Sequence, residues 1–251
     1  MSIFEDKYAK LYEIIYANKD YSYEVSVVQE LLKEISPNTL SLLDFGCGTG
    51  KHATLFSKAG FQVTGIDRSN AMLDKAKDAD PGNQSIYLHI NDANKIKDSS
   101  IDATMSLFDV FSYLVCDNDI KDFFELILKK SKVSSPLIFD FWYLPAVIHL
   151  KPKTRKKLFL QDNRSITRIT EPIFDISTSQ VKAKHEFFLK ENNEFVDCFS
   201  ETHTMRCFTK NEIIRMLDDF GYRLIRFGTW QKPLSEPTLL DWSVLAIAVQ
   251  K

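Results

Sequence analysis

Residues 42–52 read LLDFGCGTGKH. Gly46, Gly48 and Gly50 stand at alternate positions behind Asp44. A glycine turn lets the backbone approach a ligand that a Cβ would exclude. Three patterns compete for it. A phosphate loop, G-x-x-x-x-G-K-[ST], would need a glycine at Phe45 and a Ser or Thr at His52, so it fails at both ends. A dinucleotide fingerprint, G-x-G-x-x-G/A, fits GTGKHA but leaves Gly46 and Asp44 without a role. The third, acidic-x-G-x-G-x-G, fits DFGCGTG at every position.

Outward from the turn, the chain alternates strand and helix. TLSLLDF is a short, nearly continuous apolar run, the pattern of a strand buried on both faces. KHATLFSKAG reads as a helix stopped by Gly60, FQVTGID as the next strand, and RSNAMLDKAKDA as a helix capped by Ser69 or Asn70. DPGNQ is a turn. SIYLHI and IDATMSLF are further strands, NDIKDFFELILKKSK is an amphipathic helix, and SPLIFDFW is a fifth strand. Two helical patterns precede them, from Glu5 to Ala17 and from Ser22 to Ile35. Residues 40–142 therefore predict a parallel sheet with helices on both faces.

Downstream of residue 166 the pattern changes. SITRITEPIFDIS, SQVKAKHEFFLK and EFVDCFSETHTMRCF are long β-rich segments joined by STS and ENNE turns, which predicts an antiparallel insertion. TKNEIIRMLDDFG then reads as a helix with Thr209 as N-cap, Glu212 at N3 and Gly221 beyond its end. YRLIRFG and WSVLAIAVQK close the chain as strands. The reading is one domain over residues 1–251. It has a helical cap at 1–39, a cofactor core at 40–144, the insertion at 145–208, and a closing helix and strands at 209–251.

A net charge of -2 supplies no field that favours nucleic acid or an anionic membrane. No apolar run spans a bilayer, and the first residues lack a signal-peptide pattern. Cys47, Cys116, Cys198 and Cys207 form no C-x-x-C pair, so they read as reduced thiols of a cytoplasmic protein without a zinc or other metal site. The basic run KPKTRKK at 151–157 reads first as a solvated loop. Its functional alternative is a handle for a substrate's phosphates.

DFGCGTG resembles motif I of the class I S-adenosylmethionine-dependent methyltransferases. VTGID at the end of the second strand, NDA after the third and SLFDVFSYL after the fourth resemble the later motifs of that family. The resemblance implies a Rossmann-like α/β fold with a mostly parallel seven-stranded sheet, and S-adenosyl-L-methionine as cofactor. It implies cofactor contacts from Asp44, Gly46, Cys47, Gly48, Gly50, Asp67, Arg68, Asp92, Ala93 and Leu107, with Tyr12 and Tyr21 from the leading helices. Asp67 would accept hydrogen bonds from the ribose hydroxyls, a role a dinucleotide enzyme also uses. The partner implied is a small-molecule methyl acceptor. A homodimer stays open.

For the acceptor, YEIIYANKDYSYE, FDFWYLP and the insertion resemble the amino-sugar nucleotide N-methyltransferases, with a related start in glycine N-methyltransferase. Substrate contacts are then expected from Tyr16, Asp109, Trp142, Tyr143 and Arg206. The amino-sugar group carries a proposed catalytic histidine after the fourth strand, and here Tyr113 stands in its place. A phenol with pKa near 10 is a poor base at neutral pH. An oxygen nucleophile depends on a positioned base more than an amine does, so the exchange leans toward nitrogen. His203 is the other catalytic candidate. Strand alternation places it on the face opposite Arg206 unless a bulge intervenes. His52 is expected at the surface, and His89 and His149 in structural or exposed places. An oxidoreductase using GTGKHA, another small amine, carboxylate or phosphorylated metabolite as acceptor, and a non-catalytic cofactor-binding module are the alternatives.

Overall fold

A computed structural model of the chain describes residues 3–4, 6–82 and 84–251. Glu5, the expected first residue of the leading helix, and Asn83, in the expected DPGNQ turn, lie outside the described residues. Two helices lead, α1 (Asp6–Ile15) and α2 (Tyr21–Ile35). The core then runs β1 (Ser41–Phe45), α3 (Lys51–Lys58), β2 (Gln62–Asp67), α4 (Asn70–Ala79), β3 (Ser85–His89), β4 (Ala103–Ser106), α5 (Asp117–Lys130) and β5 (Pro136–Trp142). Short 3-10 turns at Ile90–Lys95 and Val110–Tyr113 follow β3 and β4.

These strands belong to a seven-stranded sheet of order β10-β11-β5-β4-β1-β2-β3, completed by β10 (Tyr222–Gly228) and β11 (Ser243–Gln250). β1 to β5 pair in parallel, and β11 runs antiparallel between β5 and β10. Alternation along each strand sorts the core into two layers. Leu42, Ile138, Leu245 and Ile247 face α2, α3 and α4. Leu43, Leu137, Phe139, Val244 and Ala246 face α5 and α7 (Lys210–Asp219). The helix ends follow their local chemistry. Ser69 accepts from Met72 N at the start of α4, and Thr209 with Glu212 forms a capping box on α7.

The insertion holds more regular structure than its three β-rich segments suggest. It opens with α6 (Leu144–Leu150), and its antiparallel sheet has four strands. These are β6 (Arg155–Gln161), β7 (Arg164–Asp175), β8 (Gln180–Glu191) and β9 (Glu194–Arg206). β6 corrects the solvated-loop reading for residues 155–157, because Arg155, Lys156 and Lys157 pair with Thr170, Ile169 and Arg168, while residues 151–154 remain a loop. α1 packs Tyr8, Leu11 and Ile15 against Met72 of α4 and Ile166 and Phe187 of the second sheet. No described helix is long and apolar enough to cross a membrane.

Candidate active site

A cavity of about 1260 Å³ opens at the carboxyl ends of β1, β2 and β4. The glycine turn forms one side of it, α1 another, and the second sheet covers it. Crevices at the carboxyl ends of parallel strands are where such folds bind ligands.

The three glycines have separate tasks, and all take positive φ. A Cβ on Gly46 would lie 2.3 Å from Cγ1 of Val110, and one on Gly50 would lie 2.8 Å from the Tyr87 hydroxyl. Both serve protein packing. Gly50 starts α3 in the left-handed conformation and does not line the cavity, which corrects its expected place. Only Gly48 has open space where a Cβ would stand. Its N–H donates to Asp67 Oδ2 at 2.9 Å, and Ser69 N donates to Asp67 Oδ1 at 2.8 Å. Asp67 thus ties the turn to β2 and still faces the cavity beside Arg68.

Asp44 lies beneath this turn, 2% exposed, and its Oδ2 has no hydrogen-bond partner. Burial pushes its carboxyl up to about 6, against the pull of His52. A buried, unpartnered carboxylate beside an open glycine is suited to a cation. Cys47, Leu107, Ile66, Met72 and Ile90 give the same end of the cavity an apolar lining. This donor set fits S-adenosylmethionine: carboxylates for its ammonium and ribose, apolar walls for its adenine.

Two expected adenine contacts are corrected. Asp92 pairs with Lys95 at 3.2 Å, and Ala93 is buried within the 3-10 turn. The tight turn brings Ile90 and Asn91 to the cavity in their place. His52, expected at the surface, is 7% exposed and bonds Glu24 at 2.8 Å.

Tyr12, Tyr16 and Tyr21 line the wall made by the leading helices, and the Tyr21 ring lies 5.0 Å from that of His52. Phe108 and Asp109 both adopt positive φ (67° and 59°) at the end of β4. Consecutive left-handed non-glycine residues mark strain of the kind found at functional sites. Asp109 is held by Trp142 Nε1 at 3.1 Å and Ser243 Oγ at 2.6 Å, while its own N–H donates to Asp140 at 2.7 Å. Trp230 Nε1 donates to the other oxygen of Asp140 at 2.9 Å. Burial raises both carboxyls, Asp140 well above the usual range.

Tyr113 and His203 come together although their segments are far apart in the chain. The Tyr113 hydroxyl is 2.8 Å from His203 Nδ1, and His203 Nε2 is 3.3 Å from Glu201 Oε2. His203 is 2% exposed, not a surface residue. Glu201 and His185, which also face this group, were not among the expected site residues.

Arg206 and Tyr143 are corrections. Neither lines the cavity. Arg206 takes the opposite face of β9, without a bulge near it, and pairs with Asp117 and Glu212 at 2.8 and 2.9 Å. Tyr143 turns from the cavity and packs on Phe227, 5.9 Å between ring centroids.

Lys153, Arg155, Lys157 and Arg168 line the mouth under the second sheet. The register explains this. Arg155 lies opposite Thr170, Thr170 opposite His185, and His185 opposite Glu201. Directly paired residues share a face. Lys157 and Arg168 follow in the next row. Among the described residues no carboxylate pairs with any of these four cations, and Arg168 Nε is buried without a hydrogen-bond partner. The period of two along β7 was the signal that could have found Arg168.

Residues 42–132 match the model of a family described as a methyltransferase domain. A putative methyltransferase, YqeM, of Bacillus subtilis (strain 168) is 28% identical over 87% of this chain and 86% of its own. The dTDP-3-amino-3,4,6-trideoxy-alpha-D-glucopyranose N,N-dimethyltransferase of Streptomyces venezuelae is 22% identical over 88% of this chain and 92% of its own. Among solved structures, CalS10 of Micromonospora echinaspora, described as an amino pentose methyltransferase and solved with S-adenosylmethionine bound, superposes with a TM-score of 0.77. That likeness covers 100% of this chain and 99% of CalS10 at 17% identity, and it establishes the fold.

Proposed function

We propose that this chain is a class I S-adenosylmethionine-dependent methyltransferase whose acceptor is the amine of a nucleotide-linked sugar; the methyltransferase-domain match over residues 42–132 supports the first part. The observation that carries the acceptor class is the row of uncompensated cations, Lys153, Arg155, Lys157 and Arg168, at the mouth of the cavity. Unpaired basic side chains facing one another favour an anion between them. A diphosphate linkage satisfies that demand and leaves the sugar to reach inward. The Streptomyces venezuelae relative is named for a dTDP-linked amino sugar, which supports the same class here.

Bound S-adenosylmethionine supplies a methyl group already activated on a sulfonium sulfur. What the protein adds is placement. Asp67 would accept hydrogen bonds from the ribose hydroxyls, and Asp44, buried beneath the glycine turn, would supply the negative charge for the ammonium. The tyrosines of α1 and α2 keep water from the transfer line. Trp142 holds Asp109 at the far wall, where that carboxylate can receive a donor of the sugar. Holding the nucleophile in line with the methyl in a water-poor site supplies several kcal/mol of rate enhancement.

The test is methyl transfer to a panel of nucleotide-linked amino sugars, their hydroxyl counterparts, and the same sugars without phosphate, read by mass spectrometry. The expected result is methylation of the nucleotide-linked amines. Equal transfer to the phosphate-free sugars would overturn the role of the cations. Transfer only to the hydroxyl sugars would move the acceptor atom to oxygen.

A further inference from the structure

The strained tip of β4 and the inner face of β9 meet at one group of side chains. Tyr113 ends the 3-10 turn after β4, and His203 stands on β9. The phenol oxygen and His203 Nδ1 are 2.8 Å apart, and the other ring nitrogen faces the Glu201 carboxylate at 3.3 Å. Glu201 is itself fixed, since it accepts from Phe4 N at 3.2 Å. Rings close around the imidazole: Phe4 at 5.0 Å, Tyr8 at 5.4 Å and His185 at 4.9 Å between centroids. Water is thereby kept from the imidazole, while Tyr113 and His203 both reach the cavity wall.

This order of groups has a definite chemistry. A carboxylate beside one imidazole nitrogen holds the proton there, which leaves the other nitrogen as an acceptor. Here the acceptor is Nδ1, and its donor is the Tyr113 hydroxyl. The phenol oxygen keeps lone pairs for a proton arriving from the cavity. Alone, Tyr113 could not serve, because burial raises its pKa well above the ordinary value. With an imidazole behind it, the phenol can take one proton as it releases another.

We propose that Tyr113, His203 and Glu201 form a proton relay for the methyl acceptor, with Tyr113 and His203 as catalytic residues and Glu201 as a positioning residue. The inference rests on the methyltransferase reading above and adds the fate of the acceptor's proton. The acceptor lone pair forms the bond to the transferred methyl, and the electron pair of the broken carbon–sulfur bond stays on sulfur. The acceptor's N–H or O–H proton passes to the Tyr113 oxygen, and the tyrosine's own proton passes to His203 Nδ1. The positive charge that leaves the sulfonium ends on an imidazolium beside the Glu201 carboxylate. The base missing after the fourth strand is thus supplied from the second sheet, and the lean toward nitrogen no longer rests on its absence.

Other groups also face the relay. Tyr8 reaches it from α1, Tyr16 from the turn just after α1, Arg68 from the end of β2, and Asp109 from the turn after β4. His185 faces it from β8, and burial pushes its pKa down to about 3, so it stays neutral beside His203. Tyr8 stays neutral because burial raises its hydroxyl.

Two measurements test this. In the protein without acceptor, 15N spectra of His203 should show a neutral ring protonated on Nε2. Tyr113→Phe should shift the Nδ1 signal. Glu201→Gln should perturb Nε2. A ring protonated on Nδ1, or an Nδ1 signal indifferent to Tyr113→Phe, overturns the relay whatever the acceptor. With an accepted substrate, Tyr113→Phe and His203→Asn should each lower kcat by about 100-fold or more, the usual span of general-base catalysis. Both should leave S-adenosylmethionine affinity unchanged, which also verifies folding. Glu201→Gln should lower kcat by about 10-fold and displace the acid limb of the pH profile. Unchanged kcat and pH profile in both Tyr113→Phe and His203→Asn overturn it. Failure of the acceptor class appears instead as a wild-type protein inactive on nucleotide-linked sugars.

Discussion

Asp44 stores the cost of the cofactor site in one side chain. Burial raises its carboxyl from 3.8 to about 6. A carboxyl raised by folding stabilises the folded state below the unfolded value, and that contribution is lost as pH climbs to the folded value. Stability of the ligand-free protein should therefore fall between about pH 4 and pH 6 through this residue. The difference is about 3 kcal/mol. Asp44→Asn should raise ligand-free stability by up to that amount above pH 6, with the gain fading toward pH 4, while S-adenosylmethionine binds more weakly. Urea unfolding at several pH values, with calorimetry of the cofactor, checks both signs. Asp67 acts differently, since it already holds Gly48 and Ser69. Asp67→Ala removes charge-assisted bonds worth about 1.5–3 kcal/mol, so cofactor affinity should fall by roughly 10- to 100-fold. Unchanged affinity would remove Asp67 from the site.

At the scale of elements, the β6–β7 hairpin lines the mouth of the cavity. Its inner face carries Arg155, Lys157 and Arg168, while Leu158 and Leu160 on β6 are exposed on the other side. Lys157→Ala combined with Arg168→Ala should raise KM for a nucleotide-linked acceptor by about 10-fold or more, from one or two lost charge-assisted contacts. The penalty should shrink in high salt, because screening weakens the same contacts in the parent. Cofactor affinity should stay as it is. An equal loss for phosphate-free acceptors would mean the hairpin had been deformed. The hairpin was hard to see in the sequence because its first strand begins inside a run of cations. Five basic residues in the seven positions 151–157 hide the alternation that Phe159 and Leu160 continue. The parallel core was easier. Its strands are continuous apolar runs, and caps such as Thr209 with Glu212 act over three residues.

Across the whole molecule, α1 is the tie between the two sheets. Glu13 accepts from Thr49 Oγ1 at 2.6 Å in the glycine turn and pairs with Lys51 at the same distance. Lys7 pairs with Asp197 of β9 at 2.7 Å, and just before the helix Phe4 connects Ser69 to Glu201. Cofactor bound against the turn should therefore steady α1. Hydrogen exchange of residues 6–15 should slow several-fold with S-adenosylmethionine or S-adenosylhomocysteine, and Glu13→Ala should lessen the protection. Equal exchange with and without ligand would show that α1 does not sense the site.

By itself the sequence determined the doubly covered parallel sheet, its glycine turn and the carboxylates beside it. Those signals are local: hydrophobic period, helix caps, and a turn that only glycines allow. It also contained the correct faces of β9, since alternation separates His203 from Arg206. What it did not determine is which distant groups share a wall. Tyr113 and His203 meet only because the register of β7, β8 and β9 carries His203 to the strained turn after β4. The same register sets Arg168 behind Lys157, and the parity of one 3-10 turn exchanges Asp92 and Ala93 for Ile90 and Asn91. Register and packing across long separations are properties of the assembled fold. A one-residue slip turns a strand's side chains to the other face, so the meeting of Tyr113 and His203 was decided by tertiary structure alone.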